Sequence, residues 1–268
     1  MKIGLIGCGR MGGALIEGAI QAGVVSPSDV LLHSRSKESA ESLAKKCGAK
    51  VAESNSQVAE ECDFVLLGCK PYQIIDILTE ISDVLPGNTA LVSVAAGITL
   101  ERMESACPEG TRVIRAMPNT PSLIGMGATG LTKGTHATNS DISAAKEMLE
   151  SVGMVVETTE SQLDAVTGLS GSGPAYVYTF IEELAAQAEK EGLSAEDSVR
   201  LATQTVLGAA RMVEQSTMTP AELRNQVTSP GGTTVAGLEA LTATGFETSI
   251  AAGVHAAAER SREIAAES

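Results

Sequence analysis

Aromatic side chains are nearly absent from this 268-residue chain, which has no tryptophan, three tyrosines and three phenylalanines. The core must therefore be filled by alanine, valine, leucine, isoleucine and glycine, whose small size permits close helix packing. This composition favours a helix-rich architecture over an aromatic-cored β-sandwich. Hydrophobic residues still make up 43% of the chain, so it can bury a core and fold.

Positive charge is also scarce, because 19 Lys and Arg face 33 Asp and Glu, a formal net charge of −14. Nucleic-acid binding needs concentrated Lys and Arg, so this balance argues against nucleic acid as a partner. The acidic residues are scattered, which is typical of a solvated surface and does not exclude a locally positive pocket.

Long apolar runs are missing as well. No stretch approaches the roughly 20 consecutive apolar residues of a membrane span. The opening MKIGLIG meets a glycine-rich turn after one short apolar run, unlike a secretory signal. We therefore expect a cytoplasmic protein with no membrane partner.

Cysteines occur in an odd number and lack the CxxC spacing of metal sites. Such usage indicates free thiols in a reducing compartment, and we expect no bound metal. The five are Cys8, Cys47, Cys62, Cys69 and Cys107.

Short apolar runs alternate with helix-like segments over about the first 155 residues. Continuously apolar strands are typical of a sheet covered on both faces, and repeated βα units predict an α/β, Rossmann-like doubly wound parallel sheet. The predicted strands are Lys2–Ile6, Val30–His33, Phe64–Leu67, Ala90–Val94, Arg112–Ala116 and Met154–Val156. The predicted helices between them are Met11–Gln21, Lys37–Lys46, Tyr72–Ile81 and Ser143–Ser151.

Helices take over after about residue 160, and we predict two domains, residues 1–160 (α/β) and 161–268 (all-α). Ser194 is a predicted N-cap, with Asp197 three residues on in the capping-box position. Because the helical part has few large side chains to bury, we expect it to dock on the first domain and on a second copy of itself. The predicted helices are Pro174–Glu191, Ala195–Gln215, Pro220–Gln226, Val235–Thr242 and Phe246–Ala265.

A glycine-rich turn, GCGRMG, follows the first predicted strand and opens the first helix. Gly7 permits the tight turn, Gly9 lets backbone approach a pyrophosphate, and Gly12 lets the helix pack against the strand. The helix N-terminus adds free N–H groups and a positive dipole. Although a glycine-rich turn alone is a common structural feature, the strand–turn–helix context favours a dinucleotide site. Its predicted contacts are Gly7, Cys8, Gly9, Arg10, Met11 and Gly12.

The end of the second strand bears on the choice of dinucleotide. NAD enzymes usually place Asp or Glu there to bind the ribose hydroxyls, whereas this chain reads His33-Ser34-Arg35-Ser36. No carboxylate repels a 2′-phosphate, and Ser34 and Arg35 supply a hydroxyl and a guanidinium that can bind one. The alternative is that Arg35 is an exposed loop residue. We predict NADP as the cofactor, with NADPH preferred and NADH as the alternative.

Two further strands end in segments with candidate contacts. The carboxyl ends of strands face the ligand crevice of an open α/β sheet. Lys70, in the segment Gly68–Pro71, is therefore expected beside the cofactor, although it also fits a surface lysine before a helix. Small residues at Val94–Gly97 would let the nicotinamide lie against backbone.

Two later segments combine glycines and hydroxyls at predicted helix starts. Thr167–Pro174 and Thr228–Thr234 both have the composition of a carboxylate-binding nest. Each also fits an ordinary helix cap.

Taken together, these motifs resemble the Δ1-pyrroline-5-carboxylate reductase family over nearly the whole chain. The stretch ELRNQVTSPGGTTVAGLEAL, at 222–241, is similar to the family signature. The other matching strings are GxGxMG at 7–12, CKP at 69–71, VSVAAGIT at 92–99, RAMPNTP at 115–121 and AVTGLSGSGPAY at 165–176.

The resemblance implies hydride transfer from NAD(P)H to C5 of a cyclic imine, giving L-proline in the last step of proline biosynthesis. It places Ser34 and Asn55 at the adenosine end, including the 2′-phosphate. It also implies that Thr234 lies near the ring nitrogen, and Thr234 is the predicted catalytic residue. Gln226 departs from the Asn of some relatives, which puts the outer hydrogen bonds of the substrate loop in question. The implied contacts of the nicotinamide half are Gly68, Cys69, Lys70, Pro71, Ala95, Ala96 and Gly97, and those of the substrate carboxylate are Ser229, Gly231, Gly232, Thr233 and Thr234.

Three alternatives to this interpretation place different demands on the sequence. A related 3-hydroxyacid dehydrogenase would carry a catalytic Lys in GxxGxGxxxK, but Val177 stands at the Lys position after Gly168, Gly171 and Gly173. A reductase of another cyclic imine carboxylate would use the same groups. A non-catalytic dinucleotide sensor would have no reason to keep the Ser229–Thr234 loop.

The resemblance also implies an assembly. In this family the helical domains of two subunits interleave into a homodimer, so that the substrate loop of one chain completes the site beside the other chain's cofactor. Relatives assemble further, up to pentamers of dimers.

Overall fold

In residues 1–267, the part described by this computed structural model, eight strands form one sheet in the order β3-β2-β1-β4-β5-β6-β7-β8. Strand β1 lies between β2 and β4, so the chain winds outward from β1 in both directions, as a doubly wound fold requires. The strands are β1 (Ile3–Ile6), β2 (Val30–His33), β3 (Lys50–Val51), β4 (Phe64–Leu67), β5 (Ala90–Ser93), β6 (Arg112–Met117), β7 (Gly127–Lys133) and β8 (Gly153–Glu157).

Helices cover this sheet and form most of the chain that follows it. Those that follow the first strands are α1 (Arg10–Gln21), α2 (Lys37–Cys47), α3 (Asn55–Glu61), α4 (Ile74–Ile81), α5 (Leu100–Ser105) and α6 (Asn139–Glu150). The later helices are α7 (Leu163–Val166), α8 (Gly173–Lys190), α9 (Ala195–Gln215), α10 (Pro220–Gln226), α11 (Thr233–Ala243) and α12 (Phe246–Glu267).

The predicted α/β class and helical C-terminal part are confirmed, with two strands that the sequence reading missed. Strand β3 has only two residues, too few for a pattern to show. Strand β7 reads GATGLTK, in which glycines and threonines break the apolar run. It also corrects the predicted all-parallel sheet, because β7 runs antiparallel to β6.

The core divides into two layers, one on each face of the sheet. Ile3, Leu5 and Leu66 point to the layer that contains α1 and α6. Ile6 and Leu67 point to the opposite layer, which contains α3, α4 and α5. Because successive side chains of a strand point to opposite faces, each of these short apolar strands serves both layers.

The chain forms two compact units. Unit 1 comprises residues 1–172 together with the stretch from His255 onward, and unit 2 comprises Gly173–Val254. Residues just after 160 belong to unit 1 because Leu163 and Val166 pack closely on Gly130 of β7. The predicted boundary between residues 160 and 161 does not coincide with this division and stays a prediction about the domains.

Polar contacts join distant parts of unit 1. Buried Arg115 of β6 forms an ion pair with Glu160 at 3.1 Å, and the same Glu160 oxygen accepts the Leu100 backbone N–H at 2.6 Å. Ser261 of α12 donates to Asp164 at 2.6 Å. These contacts hold the start of α5 and the last turns of α12 in fixed register with the sheet.

Unit 2 is built on α8 and α9. The predicted N-cap is confirmed, since Ser194 accepts the Asp197 backbone N–H at 3.1 Å. Phe180 of α8 packs on Phe246 of α12 with ring centroids 6.1 Å apart.

All five cysteines are free thiols, as predicted. Among the described helices, none has the length and apolar content needed to cross a bilayer.

A capping box at the start of α6 yields a test of stability against pH. Asp141 accepts the Thr138 backbone N–H at 2.8 Å and pairs with Arg112 at 3.3 Å. Burial alone would raise the pKa of Asp141, but the hydrogen bonds from Thr138 and the charge of Arg112 hold it below its ordinary value of 3.8. Because the folded pKa is depressed, the stabilisation is present above the unfolded pKa of about 3.9 and is lost as pH falls through the folded pKa.

We expect Asp141→Asn to lower the free energy of unfolding by about 1 kcal/mol at pH 7, a typical cost for a lost cap. The difference from wild type should shrink as pH falls below about 4. Urea unfolding at several pH values measures it. Ser143→Ala, on the exposed face of the same helix, is the control and should change stability by less than about 0.5 kcal/mol. A pH-independent deficit in Asp141→Asn would contradict this account.

Candidate active site

Four parallel strands end at the same level of the sheet. Ile6 of β1 is in register with His33 of β2 and Leu67 of β4, and Leu67 is in register with Ser93 of β5. The predicted cofactor residues follow these ends directly, at Gly7, Ser34, Gly68 and the Ala95–Gly97 segment. The sheet therefore brings the predicted cofactor segments of unit 1 to one edge.

The Gly7–Gly12 turn is held against the neighbouring strand ends by backbone contacts. The Gly7 N–H donates to the His33 carbonyl at 2.8 Å, and the Gly68 N–H donates to the Ile6 carbonyl at 2.8 Å. Gly7 has φ +95°, and a Cβ there would lie 2.6 Å from the Cys69 nitrogen. Only glycine fits this position, on grounds of both backbone conformation and space.

Gly9 differs from Gly7 in the space around it. A Cβ at Gly9 would meet a single atom within 4 Å, the Gly68 oxygen at 3.8 Å, among the described residues. Gly9 is the N-cap of α1, and no side chain in the described part of the chain caps that helix. An exposed, uncapped helix start beside a bare glycine fits a pyrophosphate, which binds the free N–H groups and the positive end of the dipole.

Past β2, the predicted adenosine-end residues lie near an unexpected partner. Ser34 is half-buried and Arg35 is exposed, and Arg35 forms no ion pair with any described residue. Asn55 Oδ1 lies 2.6 Å from His33 Nδ1, and Asn55 Nδ2 donates to Glu80 at 2.8 Å. Sequence reasoning assigned no role to His33 or Glu80. The one available signal was an imidazole at the last residue of β2.

Thiols line the phosphate end without adding charge. Burial, with a smaller contribution from the neighbouring Cys47, raises the pKa of Cys8 to about 12. Burial also raises the pKa of Cys69 to about 11. Both thiols are therefore neutral at physiological pH and do not repel an anion. Lys70, next to Cys69, is exposed and unpaired among the described residues.

Beyond β5, the chain turns sharply under the end of α12. Gly97 is buried, has φ +76°, and a Cβ there would lie 2.5 Å from Cγ2 of Ile264. Ala95 is buried and Ala96 half-buried. The segment therefore consists of small residues at the strand edge, and its contact with the nicotinamide stays a prediction.

A groove of about 740 Å³ runs along α1 from the phosphate loop. Its lining includes Cys8–Arg10 of the phosphate loop, Glu17 of α1, Lys46 of α2 and the segment Ser122–Gly125. The other predicted cofactor segments do not line it, so this groove and the strand edge share only the phosphate loop.

The predicted substrate loop lies in unit 2, at the start of α11. The Gly232 N–H donates to the Ser229 carbonyl at 2.9 Å, and Gly231 has φ +71°. Pro230 precedes it, so the turn has the residue order of type II. Gly232 is the N-cap, and no described side chain caps α11. The loop therefore ends in exposed backbone N–H groups at Thr233 and Thr234, which suit a carboxylate.

Gln226 points to the sulfur of Met218, at 3.1 Å from Nε2. The Gln side chain, which departs from the family pattern at this position, therefore makes a local contact within unit 2.

The other candidate nest, Thr167–Pro174, does lead into the long helix α8, which begins at Gly173, but most of the segment is itself helical. Thr167–Gly171 is a π-helical turn that continues α7, and the Ser172 N–H donates to the Thr167 carbonyl at 2.8 Å. Because Val166 and Ser172, on either side of this turn, also have helical backbone angles, α8 does not begin at an isolated N-terminus. The glycine-rich composition reflects close packing, since a Cβ at Gly171 would lie 2.7 Å from the Met117 methyl.

The doubly wound sheet and its glycine turn define an NAD(P)-dependent oxidoreductase. Two family models match, "NADP oxidoreductase coenzyme F420-dependent" over residues 2–97 and "pyrroline-5-carboxylate reductase dimerisation" over residues 160–264. The chain is 40% identical to the pyrroline-5-carboxylate reductase of Methanosarcina acetivorans, covering 98% of this chain and 97% of the relative. The chain belongs to the pyrroline-5-carboxylate reductase family.

Solved structures agree with this assignment. The pyrroline-5-carboxylate reductase of Coxiella burnetii matches with a TM-score of 0.93 and 34% identity, covering 98% of both chains. The Plasmodium falciparum pyrroline carboxylate reductase, solved with NADP bound, matches with a TM-score of 0.88 and 31% identity over 99% of this chain and 98% of that one.

The contrast between Gly9 and its neighbours yields a test of the phosphate loop. We expect Gly9→Ala to fold normally, because the added methyl has space, but to weaken NADP+ binding about tenfold or more by blocking the approach of a pyrophosphate. Titration calorimetry and thermal unfolding measure the two effects. Gly13→Ala is the matched control, since its methyl would only touch Leu43 at 3.6 Å. Unchanged NADP+ affinity in Gly9→Ala would show that the pyrophosphate lies elsewhere.

Proposed function

We propose that this protein is a cytoplasmic enzyme that reduces Δ1-pyrroline-5-carboxylate to L-proline, with NADPH preferred over NADH. The observation that carries the proposal is that each unit has a helix start without a side-chain cap, at Gly9 in unit 1 and at Gly232 in unit 2. One suits a pyrophosphate and the other suits a substrate carboxylate. The family membership supplies the reaction.

In the proposed mechanism the bound dinucleotide supplies a hydride to C5 of the ring. The substrate is a cyclic imine, which is basic enough to enter already protonated on nitrogen. The chain therefore needs no strong acid and contributes positioning and charge neutralisation. The backbone N–H groups at Gly231–Thr234 and the Ser229 hydroxyl hold the carboxylate.

Thr234 is assigned to the ring nitrogen. Its side chain is exposed in the first turn of α11, so its hydroxyl is available to a bound ligand. We propose that it accepts a hydrogen bond from the protonated nitrogen, which fixes the face of C5 that receives the hydride.

The local chemistry disfavours alcohol oxidation. Val177 occupies the position of the catalytic Lys of 3-hydroxyacid dehydrogenases and lies in α8. A reductase acting on another cyclic imine carboxylate remains the nearest alternative, because a larger ring would use the same carboxylate loop.

The preference for NADPH rests on the end of β2. No carboxylate follows that strand directly, and the exposed guanidinium of Arg35 has no ion pair in residues 1–267. A 2′-phosphate would gain a charge-assisted hydrogen bond from it. The net charge of −14 belongs to the whole chain and does not describe this edge.

We also propose that unit 2 mediates a homodimer with interleaved helical domains. Large apolar side chains of α9 are exposed, with Leu201 and Met212 each 56% accessible. A soluble monomer rarely exposes contiguous apolar faces of this kind. Within unit 2, the buried residues of α8 and α9 are Ala185, Ser198 and Ala202, too small a core for long helices.

With racemic Δ1-pyrroline-5-carboxylate as substrate, the wild-type protein should have a higher kcat/KM for NADPH than for NADH. Thr234→Ala should lower kcat/KM about tenfold or more, because it removes a hydrogen bond to a charged group. Thr234→Ser, which keeps the hydroxyl, should recover most of it. Absorbance at 340 nm measures all three. Full activity in Thr234→Ala would refute the role of Thr234, and no turnover with either cofactor would favour the sensor.

Sedimentation velocity should show a dimer or a larger assembly at assay concentration. Leu201→Asp, which places a charge on the exposed apolar face of α9, should shift the protein toward monomer. Glu196→Asp, a conservative change in the first turn of the same helix, is the control. An active wild-type monomer would overturn the dimer proposal.

A further inference from the structure

Three polar side chains of unit 1 form a hydrogen-bonded series that starts at the end of β2. It runs from His33 at the end of β2, through Asn55 at the start of α3, to Glu80 near the end of α4. His33 Nδ1 and Asn55 Oδ1 are 2.6 Å apart, and Asn55 Nδ2 and Glu80 Oε2 are 2.8 Å apart. The three residues come from separate elements, so the tertiary structure brings them together.

The positions of the hydrogens in this hydrogen-bonded series can be deduced by starting from Glu80. A carboxylate only accepts hydrogen bonds, so Glu80 must face the Asn55 amide nitrogen. The Asn55 carbonyl oxygen then faces His33. Because that oxygen also only accepts, the hydrogen between them lies on His33 Nδ1. The hydrogen-bonded series thus fixes both the amide orientation of Asn55 and the tautomer of His33.

Fixing the hydrogen on Nδ1 leaves Nε2 with a defined role. In the neutral ring Nε2 is an acceptor, and in the protonated ring it becomes a donor. No described residue is hydrogen-bonded to Nε2. The charged or titratable groups next to His33 are the Cys8 thiol, which donates to its carbonyl, Arg35 two residues along the chain, and Glu80 behind Asn55.

The position of His33 connects this chemistry to the dinucleotide. Its carbonyl accepts the Gly7 N–H at 2.8 Å, so it lies directly beside the phosphate loop. In this fold the end of the second strand meets the ribose of the adenosine half, and NAD enzymes place a carboxylate acceptor there.

We infer that His33 is the specificity-determining residue that contacts the adenosine ribose through Nε2, with Asn55 and Glu80 as its positioning residues. The neutral ring accepts a hydrogen bond from the 2′-hydroxyl of NADH, as a carboxylate does. The protonated ring donates one to the 2′-phosphate of NADPH, alongside Arg35. The charge-assisted hydrogen bond to the 2′-phosphate is the stronger of the two, so His33 contributes more to NADPH binding than to NADH binding. This inference therefore rests on the proposed function and deepens its preference for NADPH.

Two substitutions at His33 separate its two nitrogens. An Asn side chain places its amide nitrogen near the Nδ1 position, so His33→Asn keeps the contact with Asn55 and loses the ribose contact. A Gln side chain reaches the Nε2 position, so His33→Gln does the reverse. The probes are 2′,5′-ADP and 5′-ADP, which carry the adenosine half without the nicotinamide, and calorimetry gives their Kd values.

His33→Asn should weaken 2′,5′-ADP about tenfold or more, as expected for a charge-assisted hydrogen bond, and 5′-ADP about threefold. His33→Gln should keep 5′-ADP binding near wild type and lose less for 2′,5′-ADP than His33→Asn does. Thermal unfolding confirms that both variants are folded. If His33→Asn binds both probes as wild type does, the ring has only a structural role and the inference is overturned.

Ring-nitrogen NMR of the wild-type protein gives a second readout. It should show the Nδ1–H tautomer for the neutral ring of His33, and Glu80→Ala, which removes the acceptor that orients Asn55, should release it toward the Nε2–H form that free histidine prefers. An Nε2–H tautomer in wild type would overturn the positioning chain. Neither experiment depends on turnover, so failure to reduce Δ1-pyrroline-5-carboxylate would refute the proposed function without affecting this result.

Discussion

The common level of four parallel strand ends is the constraint on which the rest of unit 1 depends. Ile6, His33, Leu67 and Ser93 are mutually in register, so the loops that follow them begin at one edge. The Gly7 N–H bonds to the His33 carbonyl, and the Gly68 N–H bonds to the Ile6 carbonyl. Backbone therefore touches backbone at this edge, and side chains are excluded where they would separate the loops.

That close approach explains how an acidic protein can present a site for a dinucleotide. We propose that phosphates are met by backbone N–H groups and a helix dipole rather than by a cluster of basic side chains. Buried thiols with raised pKa values stay neutral beside them. At the end of β2, the exposed Arg35 provides a positive charge beside His33, whose ring is held by Asn55. The net negative charge of the whole chain is therefore compatible with a site that binds an anionic dinucleotide.

Unit 2 follows a different physical principle. Its helices are long, but the side chains available for burial are small, and apolar groups such as Leu201 and Met212 stay exposed. A near-absence of aromatic residues limits how much apolar area one copy can bury. The predicted substrate loop at Ser229–Thr234 belongs to this unit. The element that we propose provides substrate specificity therefore lies in the part of the chain that we propose is stabilised by association.

Much of the fold could be predicted from local patterns. Val30–His33 and Phe64–Leu67 were bounded correctly as strands, as was Ala195–Gln215 as a helix, because apolar periodicity and caps are written in neighbouring residues. Strand β7 could not be found this way, since its glycines and threonines carry no apolar run and its pairing with β6 is decided at long range. Thr167–Gly171 misled for a similar reason, because composition does not reveal whether a glycine-rich segment starts a helix or continues one.

The site divides along the same line. The sequence by itself determined the glycine turn, the Pro-Gly-Gly loop and the missing carboxylate after β2, because each depends on adjacent residues. Only the tertiary structure decided that a Cβ would have space at Gly9 but not at Gly7. It also decided that Asn55 links His33 to Glu80, which are 47 residues apart in the sequence. Those features depend on the spacing of separate elements, which is set by how the helices pack on the sheet and by no local sequence.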